Sequence, residues 1–90
     1  MKTILVLGAG TMGSGIAQAI AQAGYNVLLR DVEIGFVEKG LSSINNSLNK
    51  LVKKDKMSQT KKEQIIKRIT GIVNLNEAQD VGLVVEAIIE

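Results

Sequence analysis

The residues of this sequence that could do chemistry begin with a cluster of glycines near its start. Gly8, Gly10 and Gly13 form the pattern G-x-G-x-x-G. In such a loop the first glycine permits a tight turn, the second lets the backbone approach a pyrophosphate, and the third lets a helix pack closely on a strand. The amides at the helix start, at Thr11 and Met12, would then face the phosphates. The segment predicts a dinucleotide-binding loop, with a purely structural turn as the alternative.

An acidic residue stands where a dinucleotide would need one. Asp31 follows Gly13 by 18 residues and comes directly after the apolar run at 27–29. A carboxylate here would accept hydrogen bonds from the adenosine ribose hydroxyls and repel a 2′-phosphate, which predicts NAD rather than NADP as the cofactor. Two alternatives stay open. Asp31 could cap a helix beginning near Glu33, and the neighbouring Arg30 could stack on adenine or tolerate a phosphate.

Basic residues are concentrated in the segment 50–68. It holds eight of the eleven basic residues of the chain against two acidic ones. Such a run is commonly only the solvated face of a helix hairpin. The alternative is that four lysines converge around the helix turn on a phosphorylated ligand: Lys50, Lys53, Lys54 and Lys61.

The composition excludes several kinds of site. Without cysteine the chain has no disulfide and no thiol nucleophile, so nothing calls for an oxidising compartment and we expect a cytoplasmic protein. Without histidine we expect no complete acid/base machinery within this span, and without cysteine we expect no thiolate metal site. The apolar run at 4–7 is too short for a signal peptide, and no stretch approaches a membrane span. A net charge of +2 and two aromatic residues argue against a nucleic-acid partner.

Four short apolar runs predict strands, at residues 4–7, 26–30, 72–75 and 82–87. Helical patterns alternate with them, and connections between parallel strands are right-handed. We therefore expect an α/β fold with a Rossmann-type, doubly wound parallel sheet in the order 3-2-1-4. The sheet would be incomplete, with its fourth strand as an exposed edge.

The first predicted helix opens in the glycine loop and ends at Gly24, where a left-handed cap is expected. Gly15 would be a further position of close packing. The apolar residues that recur at helical spacing are Met12, Ile16, Ile20 and Ala23.

Two further helices are predicted to form a hairpin inserted between the second and third strands. The longer one spans residues 33–54, with apolar residues stepping by three and four along one face. The shorter one is capped by Ser58 or Thr60, runs through Ile69 and is followed by Gly71.

Taken together, these segments resemble the 3-hydroxyacyl-CoA dehydrogenases, and in particular the bacterial enzymes that act on 3-hydroxybutyryl-CoA. The resemblance rests on residues 6–17 (VLGAGTMGSGIA), the Arg30-Asp31 pair, the lysine-bearing helix pair and residues 84–90 (VVEAIIE). It covers the whole chain. It implies that residues 1–90 are the N-terminal part of a single NAD-binding domain, without the helical substrate and dimerisation domain through which the parent enzyme would form a homo-oligomer.

The resemblance also implies roles for individual residues. Residues 8–13 and Asp31 would hold the adenosine half of NAD, and Glu90 matches a glutamate near the nicotinamide ribose. Lys54 matches a lysine that contacts coenzyme A, and Lys61 matches a second one. The enzyme would transfer a hydride between 3-hydroxyacyl-CoA and 3-oxoacyl-CoA, with its catalytic histidine beyond residue 90, so this span alone would be inactive. A non-catalytic nucleotide-binding module is the alternative.

Overall fold

Four parallel strands form one sheet in the computed structural model, which describes residues 3–78 and 81–86. They are β1 (Thr3–Leu7), β2 (Asn26–Arg30), β3 (Ile69–Ile72) and β4 (Leu83–Glu86). The order β3-β2-β1-β4 and the parallel pairing of each neighbour confirm the predicted doubly wound arrangement.

The central strand is β1, which is paired along both edges. Val6 lies beside Leu29 of β2 on one side and Val85 of β4 on the other. Val6 and Leu29 are fully buried. The continuous apolar run that predicted a strand covered on both faces is therefore explained by the position of β1 inside the sheet.

Three helices cover the strands: α1 (Thr11–Gln22), α2 (Ile34–Lys53) and α3 (Gln59–Lys67), and a 3-10 turn (Leu75–Glu77) precedes β4. Val37, Ile44 and Leu48 of α2 are buried, which confirms most of the face predicted for the long helix. Ile34, at its first turn, is 57% exposed. Among the described residues, no helix is both long and apolar enough to cross a lipid bilayer.

The buried face of α1 differs from the predicted one. The sequence pattern places Met12 and Ala23 in the core, but both are exposed, and Ile16 and Ile20 are only partly buried. The residues that α1 buries are small ones, one position further along: Gly13, Ser14, Ala17 and Ala21. Small side chains let the helix axis approach the sheet closely. The face that α1 buries is therefore determined by the small size of its side chains rather than by their hydrophobicity. Gly24 has φ 108, which confirms the predicted left-handed residue after the helix.

The end of α3 and the position of β3 also differ from the prediction. The sequence pattern extends the helix through Ile69 and puts the third strand at 72–75. Instead the helix ends at Lys67, and Ile69 already pairs with β2. Gly71 lies beyond the helix end, as predicted, but it is the third residue of β3. The β-branched pair Ile69 and Thr70 favours a strand once β2 is available as a partner.

The hairpin of α2 and α3 is held by polar contacts as well as by its core. Ser58, one of the two predicted caps, accepts a hydrogen bond from the backbone N–H of Lys61 at 3.0 Å. The ammonium of Lys62 donates to the side-chain oxygen of Asn49, which ties α3 to α2. Ile65 of α3 is fully buried against the core.

The fourth strand is an edge of the described sheet, as predicted. Leu83 and Val84 are 55% and 51% exposed although both are apolar. Ala87, which the sequence includes in this strand, lies outside the described residues.

Candidate functional site

The glycine loop connects β1 to α1 at the edge of the sheet where the strands end. Gly8 has φ 106, a left-handed conformation that favours glycine, and its N–H donates to the carbonyl of Arg30 at 2.8 Å. The loop is thus turned sharply off β1 and hydrogen-bonded to the last residue of β2. This is the tight turn that the sequence assigns to Gly8.

Asp31 lies directly beside this loop. Its Oδ2 accepts a hydrogen bond from the N–H of Ala9 at 2.9 Å, and its Oδ1 accepts one from the N–H of Val32 at 2.7 Å. Asp31 does not cap α2, because the N-cap residue is Glu33, which makes no side-chain capping bond. The helix-capping alternative is therefore wrong, and the carboxylate is placed at the glycine loop.

The N-terminus of α1 is open toward solvent. Its N-cap residue is Gly10, which has no side chain to bond the first amides, and Thr11 and Met12 are exposed. The first amides of a helix have no partner within the helix and carry the positive end of its dipole. A Cβ built on Gly10 would have no heavy atom within 4 Å, so the space that the glycine leaves is free for an anionic group.

A cavity of about 190 Å³ adjoins the loop between α1 and α2. One wall is the glycine loop and the other is the first half of α2. Its lining residues are Ala9, Gly10, Thr11, Ser14, Phe36, Lys39, Gly40 and Ser43.

The sequence patterns do not identify two of the residues at this site. Ser14 is buried, at 3% exposure, and its hydroxyl donates to the carbonyl of Ala9 at 3.1 Å. A Cβ on Gly40 would lie 2.8 Å from that same carbonyl oxygen and 2.9 Å from the Ser14 hydroxyl. Gly40 thus permits a close approach of α2 to the glycine loop. The sequence feature that could have identified Gly40 is its position between Val37 and Ile44 on the apolar face of the long helix.

Gly15 does not have the role predicted for it. It is exposed, and a Cβ built on it would meet no heavy atom within 4 Å, so no close packing occurs there. The close approach predicted at this glycine is made instead by Gly40.

The guanidinium of Arg30 is directed away from the glycine loop. Its Nε donates to the carbonyl of Val73 at 2.9 Å, just beyond the end of β3. Arg30 therefore holds the chain after β3 against the end of β2 in this structure.

The lysines assigned to coenzyme A lie at the far end of the hairpin. Lys54 is the C-cap residue of α2, and Lys61 lies in the first turn of α3. Both are exposed, as are Lys50 and Lys53. The structure thus brings Lys54 and Lys61 to the two sides of one turn. Glu90, the residue matched to the nicotinamide ribose, lies outside the described residues.

The parallel order 3-2-1-4, the glycine loop between β1 and α1 and an aspartate at the end of β2 define a Rossmann-type domain of the kind that binds dinucleotides. The chain belongs to the 3-hydroxyacyl-CoA dehydrogenase family. Its residues 3–90 match the family model described as "3-hydroxyacyl-CoA dehydrogenase, NAD binding domain".

Individual relatives agree with the family assignment. The chain is 41% identical over 90 residues to a probable 3-hydroxybutyryl-CoA dehydrogenase of Bacillus subtilis, covering 100% of this chain and 31% of the relative. It is 37% identical to the glyoxysomal fatty acid beta-oxidation multifunctional protein MFP-a of Cucumis sativus, covering 100% of this chain and 12% of that protein.

A solved structure gives the same result. The crystal structure of (S)-3-hydroxybutyryl-CoA dehydrogenase from Ralstonia eutropha superposes with a TM-score of 0.94 at 38% identity, covering 100% of this chain and 32% of that one. The chain thus spans a third or less of the length of each of these relatives.

Proposed function

We propose that this chain forms the NAD-binding part of an oxidoreductase that interconverts 3-hydroxyacyl-CoA and 3-oxoacyl-CoA, with 3-hydroxybutyryl-CoA and acetoacetyl-CoA as the substrate pair. The family match over residues 3–90 carries the proposal. It favours the dehydrogenase over a free-standing nucleotide-binding module. A cytoplasmic location and a homo-oligomeric parent enzyme remain predictions from the sequence and the resemblance.

The local geometry supports a dinucleotide as the ligand. The open helix start at Gly10, Thr11 and Met12 suits a pyrophosphate, and Gly13 is buried where α1 meets the sheet. The carboxylate of Asp31 lies next to the loop, where ribose hydroxyls would reach it. A 2′-phosphate there would face a like charge, which is why we propose NAD rather than NADP.

Calorimetric titration of the chain with NADH and with NADPH tests this cofactor assignment. We expect tighter binding of NADH. Asp31→Ala removes acceptors of charged hydrogen bonds, each about 1.5–3 kcal/mol, so NADH affinity should fall about tenfold or more. The ratio of NADH to NADPH affinity should shrink at the same time, because the repulsion of the phosphate is lost.

Glu33→Ala is the matched control for this titration. Glu33 is an exposed acid two positions away, and it makes no side-chain capping bond. We expect little change in either affinity. If Asp31→Ala left the NADH to NADPH ratio unaltered, Asp31 would not determine cofactor choice. A folded chain that bound neither nucleotide would contradict the cofactor assignment within this span.

We further propose that Lys54 and Lys61 bind phosphates of coenzyme A. Their exposure on both sides of one turn, within a segment carrying eight basic residues, supports this role. Titration with coenzyme A should show weaker binding for Lys54→Ala and Lys61→Ala, with a smaller difference at high salt because exposed charges are screened. The control is Lys67→Ala, an exposed lysine in the last turn of α3. Equal effects of all three substitutions would indicate only a general field of positive charge.

The role proposed for Glu90, near the nicotinamide ribose, comes from the resemblance. Because the catalytic histidine is expected beyond residue 90, the ninety-residue chain should bind cofactor without oxidising NADH in the presence of acetoacetyl-CoA. Measurable turnover by the isolated chain would show that catalytic groups lie within it.

A further inference from the structure

The peptide groups on the two sides of Ala9 are both fixed by side chains from other parts of the fold. Its N–H donates to Asp31 Oδ2 at 2.9 Å, and its carbonyl accepts from the Ser14 hydroxyl at 3.1 Å. Ala9 is itself buried, at 3% exposure. The glycine loop is therefore held in one conformation before any ligand arrives.

The carbonyl of Ala9 belongs to the same peptide group as the N–H of Gly10. The described residues contain no cis peptide bond, and in a trans peptide the C=O and the N–H point in opposite directions. Ser14 holds the carbonyl toward the interior, on the side of α2. The N–H of Gly10 must then point outward, where Gly10 is exposed and a Cβ built on it would meet no heavy atom within 4 Å.

We propose that Ser14 is a positioning residue that orients the Gly10 N–H to donate to the pyrophosphate of the dinucleotide. The identity of the ligand rests on the proposed function. Ser14 touches neither the pyrophosphate nor the reacting atoms in this assignment, and acts through the Ala9–Gly10 peptide. Donors fixed in advance bind more tightly because the ligand does not have to order them.

Gly40 completes the arrangement from the opposite side. A Cβ at this position would lie 2.8 Å from the Ala9 carbonyl oxygen and 2.9 Å from the Ser14 hydroxyl. The absence of a side chain at Gly40 is thus required for the Ser14 bond to form. Gly40→Ala should turn the same peptide as Ser14→Ala does, by pushing it rather than by releasing it.

The experiment compares adenosine, ADP and NADH in binding to Ser14→Ala, Gly40→Ala and the unaltered chain, followed by nuclear magnetic resonance of the backbone amides. Loss of a single hydrogen bond at this peptide should weaken ADP and NADH about two- to tenfold. Adenosine, which has no pyrophosphate, should bind unchanged. Ser42→Ala, an exposed serine on α2, is the control and should alter none of the three affinities.

The Gly10 amide resonance of the ligand-free chain provides an independent test. It should shift in Ser14→Ala and in Gly40→Ala but not in Ser42→Ala. If adenosine lost affinity as much as ADP did, or if the Gly10 amide did not shift, Ser14 would have only a structural role. If the unaltered chain bound no nucleotide while the Gly10 amide still shifted, the proposed function would fail and the orienting role of Ser14 on the peptide would stand.

Discussion

The packing of α2 against β3 leaves no room for a side chain at Gly71. A Cβ built there would lie 2.4 Å from Val37 Cγ1 and 3.0 Å from Leu41 Cδ1. Carbon atoms in contact are normally about 3.5–4.0 Å apart, so the first distance is too short by more than about 1 Å. Val37 is only 1% exposed and has a stiff, β-branched side chain, and it cannot move aside easily.

We therefore expect Gly71→Ala to destabilise the fold. Overpacking of this kind lowers the free energy of unfolding by about 1–3 kcal/mol. Alanine also reduces the conformational freedom of the unfolded chain, which raises the free energy of unfolding by about 0.4–1 kcal/mol. At the middle of these two ranges the net loss is about 1.3 kcal/mol, or roughly 5–10 °C in melting temperature for a domain of this size. Unfolding in urea, followed by circular dichroism, measures the loss directly.

Gly15→Ala is the matched comparison. It makes the same chemical change at an exposed helical glycine where a Cβ meets nothing within 4 Å. It should stabilise the chain by about 0.5–1 kcal/mol, because alanine is the better helix former. Opposite signs for the two variants are the central expectation.

A double variant tests whether the clash at residue 71 is with Val37. Combining Gly71→Ala with Val37→Ala removes the nearest atom, so the combined loss should fall short of the sum of the two single losses by about 1 kcal/mol. A Gly71→Ala chain as stable as the parent, or strictly additive losses in the double variant, would refute the packing argument.

Two further predictions concern the hairpin. Leu48→Ala empties a fully buried position on α2 and should lower the free energy of unfolding in urea by about 2–5 kcal/mol. Ile34→Ala, on the exposed first turn of the same helix, should lower it by less than about 0.5 kcal/mol. Similar losses for the two variants would show that the assigned core face is wrong. Ser58→Ala removes the acceptor for the Lys61 amide and should cost about 1 kcal/mol with faster amide exchange at the start of α3. Thr60→Ala changes the second residue of α3 and should leave the amide exchange rates unchanged. An equal effect of the Ser58 and Thr60 substitutions would argue against the capping role of Ser58.

Much of the fold could be predicted because hydrophobic periodicity and chain connectivity reinforce each other here. Apolar runs alternate with helical patterns, and right-handed crossovers then leave few arrangements of the sheet, of which 3-2-1-4 is the one observed. The loop at Gly8 and the aspartate at the end of β2 could be placed for the same reason. Both follow strands, and the ends of adjacent parallel strands meet at one edge.

What could not be predicted depends on distances between elements. The spacing of the large apolar residues predicts that Met12 is buried. The helix lies so close to the sheet, however, that only small residues such as Ala17 and Ala21 fit between them. Nor can local spacing reveal that Ile69 begins a strand, because an isoleucine three positions after Ile66 also fits a helix. Pairing with β2, a contact distant in sequence, decides between the two.

The roles of Ser14 and Gly40 also depend on contacts between distant segments. A serine in the first turn of a helix ordinarily has several polar partners available to it, and only the folded loop brings the Ala9 carbonyl within its reach. The cofactor-binding roles of residues 8–13, Asp31 and Glu90 and the coenzyme A roles of Lys54 and Lys61 stay predictions.

The length of α2 gives Gly40 a mechanical significance. The helix is a single rod of 20 residues that touches the glycine loop at Gly40 and ends at the turn carrying Lys54. At 1.5 Å per residue these two points are about 21 Å apart, so a tilt of about 5° at the loop would sweep the lysine through about 2 Å. Because the loop is fixed before any ligand arrives, the contact at Gly40 holds α2 against such a tilt and keeps Lys54 at a set distance from the glycine loop.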